Sequence, residues 1–166
     1  MAVLPILRWP DPRLATPCAP AKADDATRAL AADMLDTMYA ASGRGLAAPQ
    51  VGVLTRLFVM DATWKQGPRS PRVFLNPEIL SHSVATATGP EGCLSIPGVL
   101  ADVTRPETIR LRWADLSGAV HEETLDGFAA ICAQHEIDHL DGIVTFDRLS
   151  PDLRAALQAA YADAAE

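Results

Sequence analysis

The segment His135-Glu136-Ile137-Asp138-His139 concentrates more reactive side chains than any other stretch of the chain. On a helix, residues four apart share a face. Both imidazoles can then reach one divalent ion while Glu136 stands beside its bound water. Such a site needs a third protein ligand and an open position. Two cysteines compete for that place. Cys132 lies one turn before His135, but about 10.5 Å along the axis from His139 at 1.5 Å per residue. Over that length three ligands from one straight helix converge poorly on one ion. Cys93, within Glu91-Gly92-Cys93-Leu94-Ser95, lies between two expected strands and can approach from the side. The expected ligand set is therefore Cys93, His135 and His139, with Cys132 a small buried hydrophobe lining the site. Its chemistry would be metal-assisted hydrolysis with Glu136 as general acid/base.

A third segment, Gly43-Arg44-Gly45-Leu46-Ala47-Ala48-Pro49-Gln50, superficially mimics a dinucleotide-binding fingerprint. That fingerprint must follow a strand and open a helix; here a helix precedes it and Pro49 follows. The glycines are better read as a helix-terminating loop. Within it Gly45 lets backbone approach a ligand and Gln50 offers an amide donor. Glu91 is either an acceptor that orients a metal ligand or a surface acid, with Arg105 as its candidate partner.

These residues need elements to hold them. Asp24 and Asp25 can cap a helix to about Ala41, along which Leu30, Met34 and Met38 recur every four residues. Strands are expected at Arg56–Met60, Val73–Leu75 (ended by Pro77), Ile79–Thr88, Val99–Thr104 and Glu107–Ala114. The last of these pairs with Ala119–Leu125 as a hairpin. From Asp126 the period becomes helical, and Phe128 and Ile131 are expected to bury the same side as the histidines. Ser150-Pro151 opens a final helix to about Ala164. The expected fold is one α+β domain over residues 1–166. Antiparallel and mixed strands pack around a central metal-binding helix, with an N-terminal helix and a short C-terminal one.

Composition narrows the classes. At 166 residues with 49% apolar content, the chain can bury a core without disulfides. A net charge of −7 with scattered cations excludes direct nucleic-acid binding. No apolar run approaches the roughly 20 residues that cross a bilayer, and the first twenty residues lack a signal-peptide pattern. The cysteines, at 18, 93 and 132 only, form no C-x-x-C pair, which points to a reducing, cytoplasmic setting.

Gly43–Gln50, Glu91–Ser95 and Gln134–His139, in this order and spacing, closely resemble the three signature motifs of the peptide deformylase family. The resemblance runs almost the whole chain and takes in Asn76-Pro77 and Asp126-Gly127. It implies removal of the formyl group from the N-formylmethionine of nascent polypeptides, with release of formate. It also implies Cys93, His135 and His139 as ligands of one divalent ion and Glu136 as acid/base. Gln50 and the Leu94 backbone N–H become the oxyanion donors. Gly45, Leu46, Phe128, Ile131 and Cys132 are the candidates for contacting substrate, the last four as an apolar pocket for methionine. The donor set suits Fe2+, Zn2+, Co2+ or Ni2+, and the family's habit places iron first.

Two departures stand out. Ser150–Glu166 carries Arg154 as its sole cation, against the basic helix with which many members dock on the ribosome, so docking through it is not expected. Ile96–Val103 has no basic residue where some members place an arginine near the peptide. A paralogue with altered substrate and an inactive metal-binding relative are the main alternatives. A zinc endopeptidase would use a third His or Glu ligand and leave the other two motifs unexplained.

Overall fold

Asp24 accepts a hydrogen bond from the Thr27 amide at 2.9 Å and so caps α1, Asp25–Ala40. In this computed structural model the described residues are 2–164; Met1, Ala165 and Glu166 of the expected domain lie outside them. Seven strands follow: β1 Gly45–Ala47, β2 Leu57–Met60, β3 Arg72–His82, β4 Thr86–Cys93, β5 Ile96–Pro106, β6 Thr108–Ala114 and β7 Val120–Asp126. Then come α2, Gly127–Leu140, and α3, Pro151–Ala164. Five strands form one sheet in the order β1-β2-β3-β6-β7, and β4-β5 forms a separate two-stranded sheet. Every pairing between these strands is antiparallel; a single parallel bridge joins Ala19 to Thr55. The expected α+β architecture is present, and its mixed character reduces to that bridge.

Side chains alternate across the five-stranded sheet and so feed two cores. Leu57 and Val59 face α1 with Met34, Met38 and Leu75. Phe58 and Met60 face α2 with Phe74, Trp113, Ala133, Ile137 and Leu140. Every residue of α2 from Cys132 to Leu140 is buried, because β1, β2, β5, β6 and β7 all pack against it. A helix covered all round can hold polar side chains only if each finds a partner or a ligand.

Three elements depart from the sequence expectation. Gly45–Ala47, expected as loop, is the edge strand β1. Pro77 does not end its strand: the register breaks between Leu75 and Glu78, where β3 leaves β2 and takes up β6. Asn76 has φ +50° there, and its amide both accepts from the Ala21 N–H and donates to the Ala21 carbonyl. A bulge is the place where a strand tolerates a missing N–H. The expected strand Ile79–Thr88 is two strands in two sheets. The break at Ser83–Ala85 is made by Ser83, whose hydroxyl donates to the Ala85 carbonyl and accepts from the Thr108 amide.

Candidate active site and metal centre

Cys93 ends β4, while His135 and His139 lie one turn apart on α2. Their donor atoms all lie within 4.8 Å of one another. Nε2 of His139 is 3.2 Å from Nε2 of His135 and 3.4 Å from Cys93 Sγ. Bonds of about 2.0–2.1 Å to nitrogen and 2.3 Å to sulfur give tetrahedral edges of about 3.3–3.6 Å. The two edges at His139 are therefore already those of such a tetrahedron, and the donor set fits a divalent ion. Cys132 is buried nearby, but its Sγ contacts the Arg44 carbonyl at 3.8 Å rather than joining this triad. Burial raises its thiol pKa well above the usual value, so it stays a neutral thiol.

Glu91 is an acceptor, not a surface acid. Its Oε1 lies 3.0 Å from His135 Nδ1, and Arg105 donates to it from Nε at 2.7 Å and Nη2 at 3.0 Å. Burial alone would raise the Glu91 pKa; the His135 and Arg105 hydrogen bonds outweigh it and hold the group ionised. An acceptor on Nδ1 turns Nε2 towards the ligand position. The network continues beyond the motifs. Arg105 Nη1 donates to Asp138 at 2.9 Å, and Arg148 grips Asp138 through Nε at 3.0 Å and Nη2 at 2.6 Å. Burial, with the nearby charges of His135 and Arg105, pushes the His139 pKa well below normal, which keeps its imidazole neutral.

Glu136 is buried beside the triad. Burial pushes its carboxyl up to about 7, the His135 and Arg105 charges working against that rise. Its Oε1 has no hydrogen-bond partner among the described residues. β1 crosses directly over it. A Cβ on Gly45 would sit 2.6 Å from Glu136 Oε2 and 2.7 Å from Cys132 Sγ, so only glycine fits without moving one of them. Gly45→Ala is expected to destabilise the fold by about 1–3 kcal/mol through overpacking. Urea denaturation reads this directly; an unchanged midpoint and slope would show that the strand does not press on the helix.

Gln50 is held at both ends of its amide. Its Oε1 accepts from the Ala47 N–H at 3.0 Å, and its Nε2 donates to Ser95 Oγ at 3.0 Å with Cys93 Sγ at 3.7 Å. One N–H is thus committed to Ser95 and the other is directed at the triad. Leu94 and Ser95 form the turn between Cys93 and Ile96 at the tip of the β4-β5 hairpin. The irregular N-terminal segment fastens these two pieces through backbone hydrogen bonds, and the Trp9 ring adds packing against Phe146 and Tyr161. The Leu7 amide donates to the Gln50 carbonyl at 2.7 Å, and the Trp9 amide to the Ser95 carbonyl at 2.9 Å. Tyr161 of α3 in turn donates its hydroxyl to the Trp9 carbonyl at 2.9 Å.

A cleft of about 810 Å³ opens over the triad, between α2 and the hairpin. Gly45, Phe128, Ile131 and Cys132 line it as expected from the sequence. Leu46 does not. It is fully buried on the opposite face of β1 against α1, because adjacent residues of a strand point to opposite sides and Gly45 takes the cleft side. Phe128 is not core either: it is 41% exposed at the cleft rim, and Ile131 is half-buried below it. Ser95, Asp138 and Arg148 are site residues that sequence reasoning passed over. The first two lie inside the motifs, where a buried polar side chain is itself the signal.

The profile of the polypeptide deformylase family matches residues 3–155. A peptide deformylase of Alkalilimnicola ehrlichii is 56% identical over 151 residues, covering 90% of this chain and 84% of that protein. One of Afipia carboxidovorans is 48% identical over 167 residues, covering 100% and 98%. The crystal structure of a peptide deformylase from Legionella pneumophila superposes with a TM-score of 0.91 at 40% identity, covering 98% of this chain and 95% of that one. Likeness of this extent reaches all three motifs and the elements that bring them together, and the chain belongs to the polypeptide deformylase family.

Proposed function

We propose that this chain hydrolyses the formyl amide of N-formylmethionyl nascent peptides, releasing formate and a free amino terminus. The observation that carries the reading is the buried, unpartnered oxygen of Glu136 in the cleft wall beside the Cys93-His135-His139 triad. A divalent ion held by those three residues would lower the pKa of a water and polarise the formyl carbonyl. Fe2+ is the proposed native ion, with Zn2+, Ni2+ and Co2+ suited to the same donors. Glu136 takes the proton from the attacking water and later delivers it to the departing amine. Its pKa near 7 suits both directions of transfer. The Gln50 N–H that is directed at Cys93 Sγ rather than Ser95, and the Leu94 amide, donate to the carbonyl oxygen as negative charge develops on it. Ser95 positions Gln50, and Glu91 positions His135.

Phe128, Ile131 and Cys132 supply an apolar wall for the methionine side chain, and Gly45 lets the peptide lie close to β1. Formyl-Met peptides are therefore expected to react at least about 100-fold faster than formyl-Asp peptides, for which a charge must be desolvated. Acetyl-Met peptides are expected to be nearly inert, since one added methyl group must press against the donors around the carbonyl. Relative kcat/KM, with formate or acetate measured, gives the comparison. Equal rates for formyl and acetyl peptides would reject the small acyl site, and cleavage of internal bonds would favour an endopeptidase. The same assay after reconstitution with Fe2+ and with Zn2+, in air and without it, tests the ion: high, oxygen-indifferent activity with Zn2+ would displace iron.

No helix among the described residues is long and apolar enough to cross a membrane. Free thiols and a nascent-chain substrate support a cytoplasmic setting. The C-terminal helix supports no ribosome docking of its own, since its one cation, Arg154, is paired with Asp147.

A further inference from the structure

Two cations line the cleft, Arg44 and Lys65, without an acidic partner among the described residues. The Arg44 guanidinium carbon lies 3.8 Å from the ring centroid of Phe128, a cation–π contact that leaves its N–H donors free of any acidic partner among the described residues. The carboxylates lining the cleft are Glu91 and Glu136 only; both are buried, and Glu91 is ion-paired with Arg105. The opposite wall, from the β4-β5 hairpin, adds no other charge. A chain of net charge −7 thus presents a locally cationic cleft mouth, and low-dielectric walls focus that field on whatever enters.

The position of the cations sets which part of a substrate they meet. Phe128 precedes His135 by two turns, about 10.5 Å along α2. Phe128, 41% exposed, is the outer end of the wall proposed for methionine; an extended peptide advances roughly 3.3 Å per residue, so beyond that wall its second or third residue reaches this distance from the reacting carbon. We propose that Arg44, carried by Phe128, together with Lys65 selects peptides bearing a carboxylate at the second or third residue, counting formylmethionine as the first. This rests on the deformylase reading and refines it. The carboxylate can belong to an Asp or Glu side chain or to the free C-terminus of a short peptide.

The test uses the metal-loaded full chain and amidated peptides: formyl-Met-Ala-Glu against formyl-Met-Ala-Gln, and formyl-Met-Glu-Ala against formyl-Met-Gln-Ala. At about 50 mM KCl the Glu:Gln ratio of kcat/KM is expected to reach about three- to fivefold in one of the pairs. It should fall towards one at about 500 mM KCl. It should fall likewise in Arg44→Gln and in Lys65→Gln, while Lys22→Gln, outside the cleft, keeps it. Each variant is its own reference, so a general loss of activity does not mimic loss of selection. Formyl-Met-Ala-Ala as free acid and as amide separates the two sources: preference for the acid alone assigns the rim to the peptide terminus. A ratio of one or less at low salt in every pair overturns the proposal, as does a ratio that both cleft variants leave intact. Absence of turnover on the Gln peptides would reject the deformylase reading instead. Calorimetric affinities of Met-Ala-Glu and Met-Ala-Gln amides then decide the carboxylate preference by themselves.

Discussion

Glu136→Ala is expected to retain one metal ion per chain and to lose at least about 1,000-fold in kcat/KM on a formyl-Met peptide. A positioned acid/base is worth 10²–10⁴ by itself, and this residue serves both proton transfers. The separation of the two readouts follows from the structure. The proposed donors are Cys93 Sγ and the two imidazole Nε2 atoms, and Nδ1 of His135 is held by Glu91 rather than by Glu136. Loss of the ion in the variant would show that Glu136 helps to hold it, and a fall of less than about tenfold would remove it from the reaction.

The second large effect belongs to Cys93. Cys93→Ala removes one vertex of the triad and is expected to weaken metal binding by more than about 100-fold. Cys132→Ala should leave binding within a fewfold. Metal content after dialysis against a weak chelator measures both. Stoichiometric metal in Cys93→Ala, or its loss in Cys132→Ala, would reverse the ligand assignment. The contrast is physical as well as positional. Cys132 is kept protonated by burial and faces the Arg44 carbonyl, whereas Cys93 lies 3.4 Å from His139.

The catalytic helix was legible because its spacing is its geometry: two histidines four apart cannot help sharing a face. Leu46 has no such pattern to place it. Gly45 and Leu46 are neighbours in one motif, and nothing in a glycine-rich run announces a strand of three residues whose alternation sends one into the cleft and the other into the core. The long apolar-polar run from Ile79 to Thr88 likewise contains no glycine or proline at its centre. Its division between two sheets depends on Ser83 capping both Ala85 and Thr108, a contact made only once β6 is in place. Arg148 was illegible for a similar reason. Its worth lies in closing on Asp138 from outside the helix, and a lone arginine ending the single 3-10 turn Thr145–Arg148 carries no periodic signal. Phe128 is apolar and in phase with the histidines, which suits both a pocket wall and the core; the cleft interrupts the packing on that side and leaves it at the wall.

The backbone strap formed by Leu7 and Trp9 constrains the chain in a way that its residue types do not reveal. Its hydrogen bonds use main-chain amides, so almost any non-proline residue could stand at either position and still make them. The spacing is another matter. One amide serves the loop that carries Gln50 and the next but one serves the hairpin tip that carries Cys93, so a single inserted or deleted residue between them would detach one wall of the cleft. The Trp9 ring is a separate constraint, since it packs edge-on against Phe146 and Tyr161. Drift should therefore be freer in letter at Leu7 than at Trp9 and frozen in length at both, with indels separating the two far rarer among functional relatives than substitutions at Leu7.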